Sequence, residues 1–562
     1  MKSFSKYILG AALVGAMSLT STSCVGDLDV PPMDPNQDTP EKLFAADPRG
    51  TLDRLIAEVY QGVATAGNNG AGSSILGFGD AGAGTFTRTI FNLEELTSDE
   101  YSWLQFNDAG YYELVTMNLA ADNEIMYAAY SRIYAEIALC NEFIRTVDTY
   151  RGYLTAADDL AAADEYVRQA KIMRALAYFY AIDCFGNAGY IDETSAAGSA
   201  PAQVSRQELY NLVVTNLEEV SAEYGESYKE PAYGYVGKEA ADALLAKFYL
   251  NAGVYTGTPA YDKCWTICQK IIAHHQGEGF NNSGLAESYK ALFGANNHEY
   301  AAQGTRENEI IWTIPQDGEK LQAYGGSTFY ICTVCGSYDG ISSIDDCNLN
   351  AQWTCMVARQ QLSERFNFDA DGNPTDLRAE LWKTSKDGFE IANTTIMGNA
   401  GYGMGYAPLK YTNYAYDEWG NVDPDASPAS SNAFADSDWT VIRLAEIYLT
   451  AAECNIVGNA GNQADALKYI NFVRERAGVE PWTVSMMTEQ NILDERSREL
   501  YGENIRRSDL VRFNKFAGGS YNWNWKGGVH DGVATPTYLN LFPIPTKVIS
   551  FQAYTQNPGY SI

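Results

Sequence analysis

Apolar residues recur at three- and four-residue spacing through most of the first half of this chain, over segments near 41–66, 107–149, 163–184, 205–224, 237–252 and 260–275. That is the period of amphipathic α-helix, with Gly, Pro or Asn marking the breaks. In the 163–184 segment, Ala170, Met173, Ala177, Tyr180 and Cys184 fall on one stripe that must pack against a neighbour. Helix pairs repeating every few tens of residues, rich in Ala, Tyr and Leu, predict degenerate tetratricopeptide-like hairpins. Between about 290 and 440 the texture turns to Gly, Asn, Asp and Ser, with short β-like pieces such as 309–314. A second loop-rich stretch, 67–85, has few bulky side chains. Helical periodicity returns at 439–457, 462–477 and 488–502. The pattern predicts a mainly α fold in which long loops ride on a rigid helical body, the usual place for a binding surface.

Composition narrows the function. At 46% hydrophobic and 20% charged, 562 residues suffice for a large core. The formal charge of −32 repels a phosphate backbone, so no nucleic-acid partner is expected. Four histidines, none at metalloprotease spacing, leave little material for His-based metal sites or triads. No nucleophile elbow or phosphate loop occurs. The string 367–372 starts like a calcium loop, but Arg378 stands where a bidentate Glu is required. Cys332 and Cys335 form a single CxxC without a second pair, which suits a local disulfide or two buried thiols better than zinc. Cys264 and Cys268, one helical turn apart, read as core.

The N-terminus predicts export. Lys2 and Lys6 precede an apolar stretch from Tyr7 to Leu19, the layout of a secretory signal peptide. The Ser21-Thr22-Ser23-Cys24 that follows resembles a lipobox, in which Cys24 is lipidated after removal of residues 1–23 and anchors the chain to a membrane. Residues 24–40, acidic and Pro-rich, read as a tether.

The C-terminal third carries five ordered strings: RLAEIYLTAAECN (443–455), INFVRERAG (470–478), ERSRELYGENIRRSDLVRF (495–513), FPIP (542–545) and QNPGY (556–560). They resemble, in order and spacing, the SusD/RagB family of nutrient-binding outer-membrane lipoproteins. NAGVYTG (251–257), QDG (316–318), YGGST (324–328) and WNWKGG (523–528) extend the likeness over essentially the whole mature chain. The motifs also have a packing reading. Leu444, Tyr448 and Ala452 mark a buried helix whose Glu446 and Glu453 need basic partners, and Arg496, Arg498, Arg506, Arg507 and Arg512 suit bidentate pairing with carboxylates better than ligand binding. The QNPGY tail reads as a docking strap.

The resemblance implies one SusD-like domain over 41–562: a helical scaffold mainly in 41–290, a loop-rich binding part about 290–440, and C-terminal helices from 440. It implies a surface-exposed, lipid-anchored outer-membrane protein that binds oligo- or polysaccharide. Such a protein delivers glycan to a SusC-like TonB-dependent barrel and does no bond chemistry, so no catalytic residue, metal or cofactor is expected. The family's starch-binding type is the nearest match, and it places sugar contacts on Tyr324, Trp353, Arg88 of RTIFN and Asp80. The next string departs: Trp103-Leu-Gln105-Phe-Asn107-Asp108 keeps one tryptophan of a W-x-W and puts Asp108, or with a one-residue shift Asn107, at the following Asn. One aromatic of the arc is missing, which keeps a fructan such as levan or inulin beside starch as candidate ligand. A glycosidase carboxylate pair and a protein-only helical adaptor are the competing classes.

Overall fold

A computed structural model describes residues 39–561 except 68–69, 73–81, 106, 197, 336–343, 354, 367–373, 385–405 and 430–431. The leader, Cys24, the tether up to 38, Asp80 and the calcium-like string therefore lie outside the described residues. Among those described, no helix is long and apolar enough to cross a membrane.

The helices begin with α1 (Pro40–Ala46), α2 (Pro48–Ala64) and α3 (Phe86–Glu94). Asp47 caps α2 through Gly50 N, with Pro48 in the first turn, where a missing N–H costs nothing. A short strand β1 (Tyr101–Trp103) and α4 (Tyr111–Val115) come next. The apolar run from 107 thus divides, because Asn123 accepts from Ile125 N and Met126 N and starts α5 (Glu124–Tyr150) afresh. α6 (Ala157–Tyr180) runs on through a π turn, Ala181–Phe185, and stops at Gly186 with φ +66°. α7 (Arg206–Glu223), opened by a Ser205 cap, α8 (Lys238–Leu250) and α9 (Tyr261–His275) complete the first body. Successive helices α5, α6, α7, α8 and α9 pack as neighbours, and α5 also covers α2 and α3. The predicted stripe is buried throughout, from Ala170 to Cys184.

β2 (Ile310–Ile314) confirms the β-like reading of 309–314. α10 (Gly326–Val334) and β3 (Met356–Ala358) lie in the loop-rich part. The expected helix over 439–457 is corrected at its start. Trp439–Arg443 is strand β4, antiparallel to β2 with Ile314 opposite Trp439, and its Trp-Thr-Val-Ile run favours a pleated, half-buried surface. α11 (Leu444–Gly458), α12 (Gln463–Arg476), α13 (Glu489–Leu500), α14 (Arg506–Arg512) and α15 (Thr546–Gln552) follow. α11 packs on α9, α12 and α13, so the C-terminal helices close against the first body. A contiguous apolar cluster runs from Leu52 to Tyr554.

The charged residues of the motifs are inside, paired. Glu446 meets Lys247 at 2.7 Å and Glu453 meets Arg512 at 2.8 Å. Arg496 pairs with Asp509 (2.7 Å), Arg498 with Glu495 (2.7 Å), Arg506 with Asp99 (2.7 Å) and Arg507 with Asp183 (2.6 Å). Arg378 sits on Asp376 and Glu495, both at 2.7 Å. The tail is a strap: Asn557 donates to Phe185 O and Phe542 O, and Tyr560 donates to Leu541 O. Cys264 and Cys268 are core, and Cys332 and Cys335 are buried thiols that burial pushes upward in pKa.

Candidate functional site

Two parts of the chain more than two hundred residues apart, 88–108 and 324–353, meet at one cleft of about 620 Å³. Its wall includes Arg88, Trp103, Asp108, Tyr324 and Trp353, five of the seven residues that the sequence nominates for ligand contact. Asp80 lies outside the described residues. Asn107 is exposed and does not line the cleft, so of the two registers the structure brings Asp108 to the site.

Helix α3 supplies Arg88 and, one turn on, Asn92. Their shared partner is the Tyr111 hydroxyl, which accepts from Arg88 Nη2 at 2.9 Å and from Asn92 Nδ2 at 3.5 Å. Asn92 is 1% exposed and its Oδ1 has no hydrogen-bond partner among the described residues, although it belongs to the cleft wall. Such an atom costs about 1–3 kcal/mol unless a ligand or water satisfies it. The spacing of Arg88 and Asn92 in RTIFN is the i, i+4 relation that places both on one helix face, a signal that could have named Asn92 from the sequence.

α3 is locked to the start of α10 by Gly326 N donating to Thr87 Oγ1 at 2.7 Å. The approach is close enough that a Cβ on Gly82, at φ +80°, would stand 2.4 Å from Tyr324 Cβ. Glycine is therefore required opposite Tyr324. At the other end of α10, two last-turn carbonyls that no helical N–H can reach are used by the Trp353 loop. Trp353 N donates to Cys332 O at 2.6 Å and Cys355 N to Thr333 O at 2.9 Å. Gln105 Nε2 adds a bond to Trp353 O at 3.2 Å. The Tyr324 and Trp353 rings, both half-buried, meet at 5.9 Å with planes 49° apart. Phe434 backs Tyr324 at 4.9 Å and Phe329 backs Trp353 at 6.3 Å.

Trp103 has a different place. It lies on β1, whose partner is β3 with Trp103 opposite Met356, and it is only 2% exposed. Its indole stacks on Tyr111 at 4.1 Å and runs nearly parallel to Phe329 at 6.2 Å, while Nε1 donates to Asp108 Oδ2 at 2.9 Å. Trp103 is the floor of the cleft, and Tyr324 and Trp353 are its accessible rings. Another part of the wall comes from the start of α5, Glu124, Ile125 and Ala128, which sequence reasoning did not nominate because a helix terminus carries no sign of which loop it will face.

Elsewhere Glu94, Asp183 and Cys184 approach one another at metal-ligand range. Arg507 lies 2.6 Å from Asp183 and 3.6 Å from Glu94, so a guanidinium already supplies the positive charge there. Burial and the neighbouring Asp183 carboxylate hold Glu94 up at about 8.

A family model described as SusD family matches residues 308–560. The chain is 31% identical to the starch-binding protein SusD of Bacteroides thetaiotaomicron, over 99% of both chains. A SusD superfamily protein of Parabacteroides distasonis superimposes with a TM-score of 0.65 at 20% identity, covering 91% of this chain and 99% of that one. Surface glycan-binding protein A of Bacteroides thetaiotaomicron gives 0.64 at 20% identity over 91% and 98%. With the helical scaffold, the loop-borne cleft and an end-to-end relative in agreement, the chain belongs to the SusD family.

Proposed function

We propose that the protein is a cell-surface glycan-binding lipoprotein, anchored through Cys24 to the outer membrane, that takes up oligo- or polysaccharide and hands it to a SusC-like TonB-dependent barrel. The observation that carries this reading is the tilted Tyr324–Trp353 pair at the mouth of a cleft whose wall includes Asn92, with an unsatisfied amide oxygen. Sugar rings have apolar CH faces and hydroxyl edges, so aromatic faces beside isolated hydrogen-bonding groups match both. Tethering beside a pore raises the ligand's local concentration without new contacts.

Starch or malto-oligosaccharide is the favoured ligand. Two rings 49° apart suit a glycan whose successive units turn, as in a coiled α-glucan, and the end-to-end relative carries starch binding in its name. A fructan is the second reading, supported by Gln105, which lines the cleft where a second tryptophan of the arc would fall. The cleft carboxylates favour binding over hydrolysis: Asp108 is engaged by the Trp103 indole and Glu124 by Lys547.

Affinity electrophoresis in native gels containing starch, levan or inulin tests the proposal. Retardation by starch alone is expected; retardation by levan or inulin instead moves the ligand to a fructan. Retardation by none refutes glycan capture of these classes, and release of reducing sugar refutes the non-catalytic role.

A further inference from the structure

Helix α5 separates two concavities. Glu124, Ile125 and Ala128 face the aromatic cleft, whereas Tyr127, Tyr130, Ser131 and Tyr134 line a second groove of about 440 Å³. The opposite wall is α15, which contributes Phe551, the most exposed large hydrophobic side chain among the described residues at 86%. Tyr130 and Tyr134 stack at 4.6 Å, and the Tyr134 and Tyr554 hydroxyls are turned to Gly189 O and Pro201 O. Tyr130 lines the groove with its ring, and its buried hydroxyl lies beside the Tyr134 hydroxyl and Gly189 O. Ser131, Arg145 and Gln552 add polar groups at the rim.

Between the two concavities stands one ion pair, Lys547 Nζ to Glu124 Oε1 at 2.8 Å, both partners about half exposed. The Lys547 ammonium also lies 4.5 Å above the Tyr127 ring. An exposed pair of this kind is weak and screened by solvent, so it yields readily to a ligand lying across it. The ten residues from Glu124 to Tyr134 rise about 15 Å along the helix. Only a chain of several units can occupy both sides.

We propose that this groove is a second carbohydrate subsite, which holds the continuation of a polysaccharide gripped in the Tyr324–Trp353 cleft after it crosses the Glu124–Lys547 ridge. The inference rests on the reading of the cleft given above. The chemistry is of the same kind in both places: an exposed aromatic face in Phe551, a partly covered one in Tyr127, and hydrogen-bonding groups between tyrosine rings. A purely apolar ligand would desolvate the polar rim of Ser131, Arg145 and Gln552 without compensation. The division of labour follows from length. Short oligosaccharides fill the cleft alone, and polymers gain from both sites through effective concentration.

The test uses the mature protein in starch, levan and inulin gels, together with tryptophan fluorescence against a trisaccharide of the retained polymer, maltotriose or the matching kestose. Trp103 and Trp353 lie in the cleft and no tryptophan lines the groove, so fluorescence reports the cleft alone. Phe551→Ala and Tyr127→Ala should each weaken polymer retardation about three- to tenfold, as expected for one aromatic platform, while the trisaccharide titration stays at the wild-type value. Unchanged retardation of both variants, with Trp353→Ala defective, overturns the groove and leaves the cleft standing; the aromatic face would then belong to a protein partner. An equal loss of trisaccharide binding in the groove variants also overturns it, because the groove would be acting through the cleft. A wild-type protein retarded by no polymer overturns both.

Discussion

Replacing Trp353 by Ala separates ligand binding from folding more cleanly than any other change at the cleft. The residue is held by its main chain: its N–H bonds Cys332 O and its carbonyl accepts from Gln105, and neither bond involves the indole. Ala preserves both. What is lost is one ring face toward the ligand and the edge contacts with Tyr324 and Phe329. One face of an indole is roughly 80 Å², and at about 25 cal/mol per Å² its removal costs about 2 kcal/mol of binding, or about 30-fold in Kd. The stability cost should stay near 1 kcal/mol because the ring is only half-buried, which for a protein of this size moves Tm by no more than a few degrees. Retardation in starch gels measures the first quantity, and thermal unfolding by circular dichroism the second. Wild-type retardation by a folded Trp353→Ala protein would refute the assignment of the cleft mouth.

Trp103→Ala should behave in the opposite way, because a buried indole stacked on Tyr111 leaves a large cavity; we expect a loss of about 3–5 kcal/mol, read as a fall in the urea midpoint. Arg443→Met should also destabilise, by up to about 3–5 kcal/mol in urea unfolding, since it takes from buried Glu499 and Glu503 a guanidinium that meets them at 2.6 and 2.8 Å and leaves them only Arg476, Arg378 and Lys410. The pH dependence has a definite sign. Burial raises Glu136 to about 8 and Asp438 to about 7, so the folded state holds protons that the unfolded chain has released above about 4.5. Their contribution is complete at low pH and is lost as pH rises through these values, by up to about 1.4 kcal/mol per group per pH unit. Tm should therefore decline from pH 5 to pH 8, and Glu136→Gln should flatten that slope; an unchanged slope would show that Glu136 is ionised in the fold.

What the sequence disclosed divides by the range of the interaction that fixes it. The helical stripes of the first body and the buried face of α11 are local patterns, legible because one helix face repeats every three to four residues. Tyr324 and Trp353 were nominated through the family likeness of two short strings, YGGST and QWTC, and the structure brings both to one cleft. The exposure of Trp103 was not legible: whether a tryptophan is platform or floor depends on Tyr111 and Phe329, and Phe329 is more than two hundred residues away. The same reason hid β4, whose five residues continue a helical period and become a strand only because β2 offers a ladder. Asp108 could be chosen over Asn107 only when β1 aimed the indole N–H at it.

The family's most recognisable string makes no contact with the cleft, and the packing explains how it can still matter there. Asp99, Glu100 and Tyr101 lead into β1, the strand that carries Trp103. Arg506 holds Asp99 at 2.7 Å across 407 positions of sequence, and Ser497 donates to Glu100 at 2.6 Å. Arg359, just beyond β3, donates to Tyr101 O at 2.7 Å, and the Tyr101 hydroxyl meets that of Tyr330 on α10 at 3.0 Å. The segment before β1 is thus clamped from the C-terminal helices, from the end of β3 and from α10, the helix whose two ends position the accessible rings. Buried ion pairs contribute little net stability against well-packed apolar residues, because desolvation offsets most of the attraction. Their geometry, however, is unforgiving: a bidentate guanidinium accepts its carboxylate in one place. An arginine-rich motif can therefore be retained for fixing where a distant cleft floor sits, with no arginine in it touching the ligand.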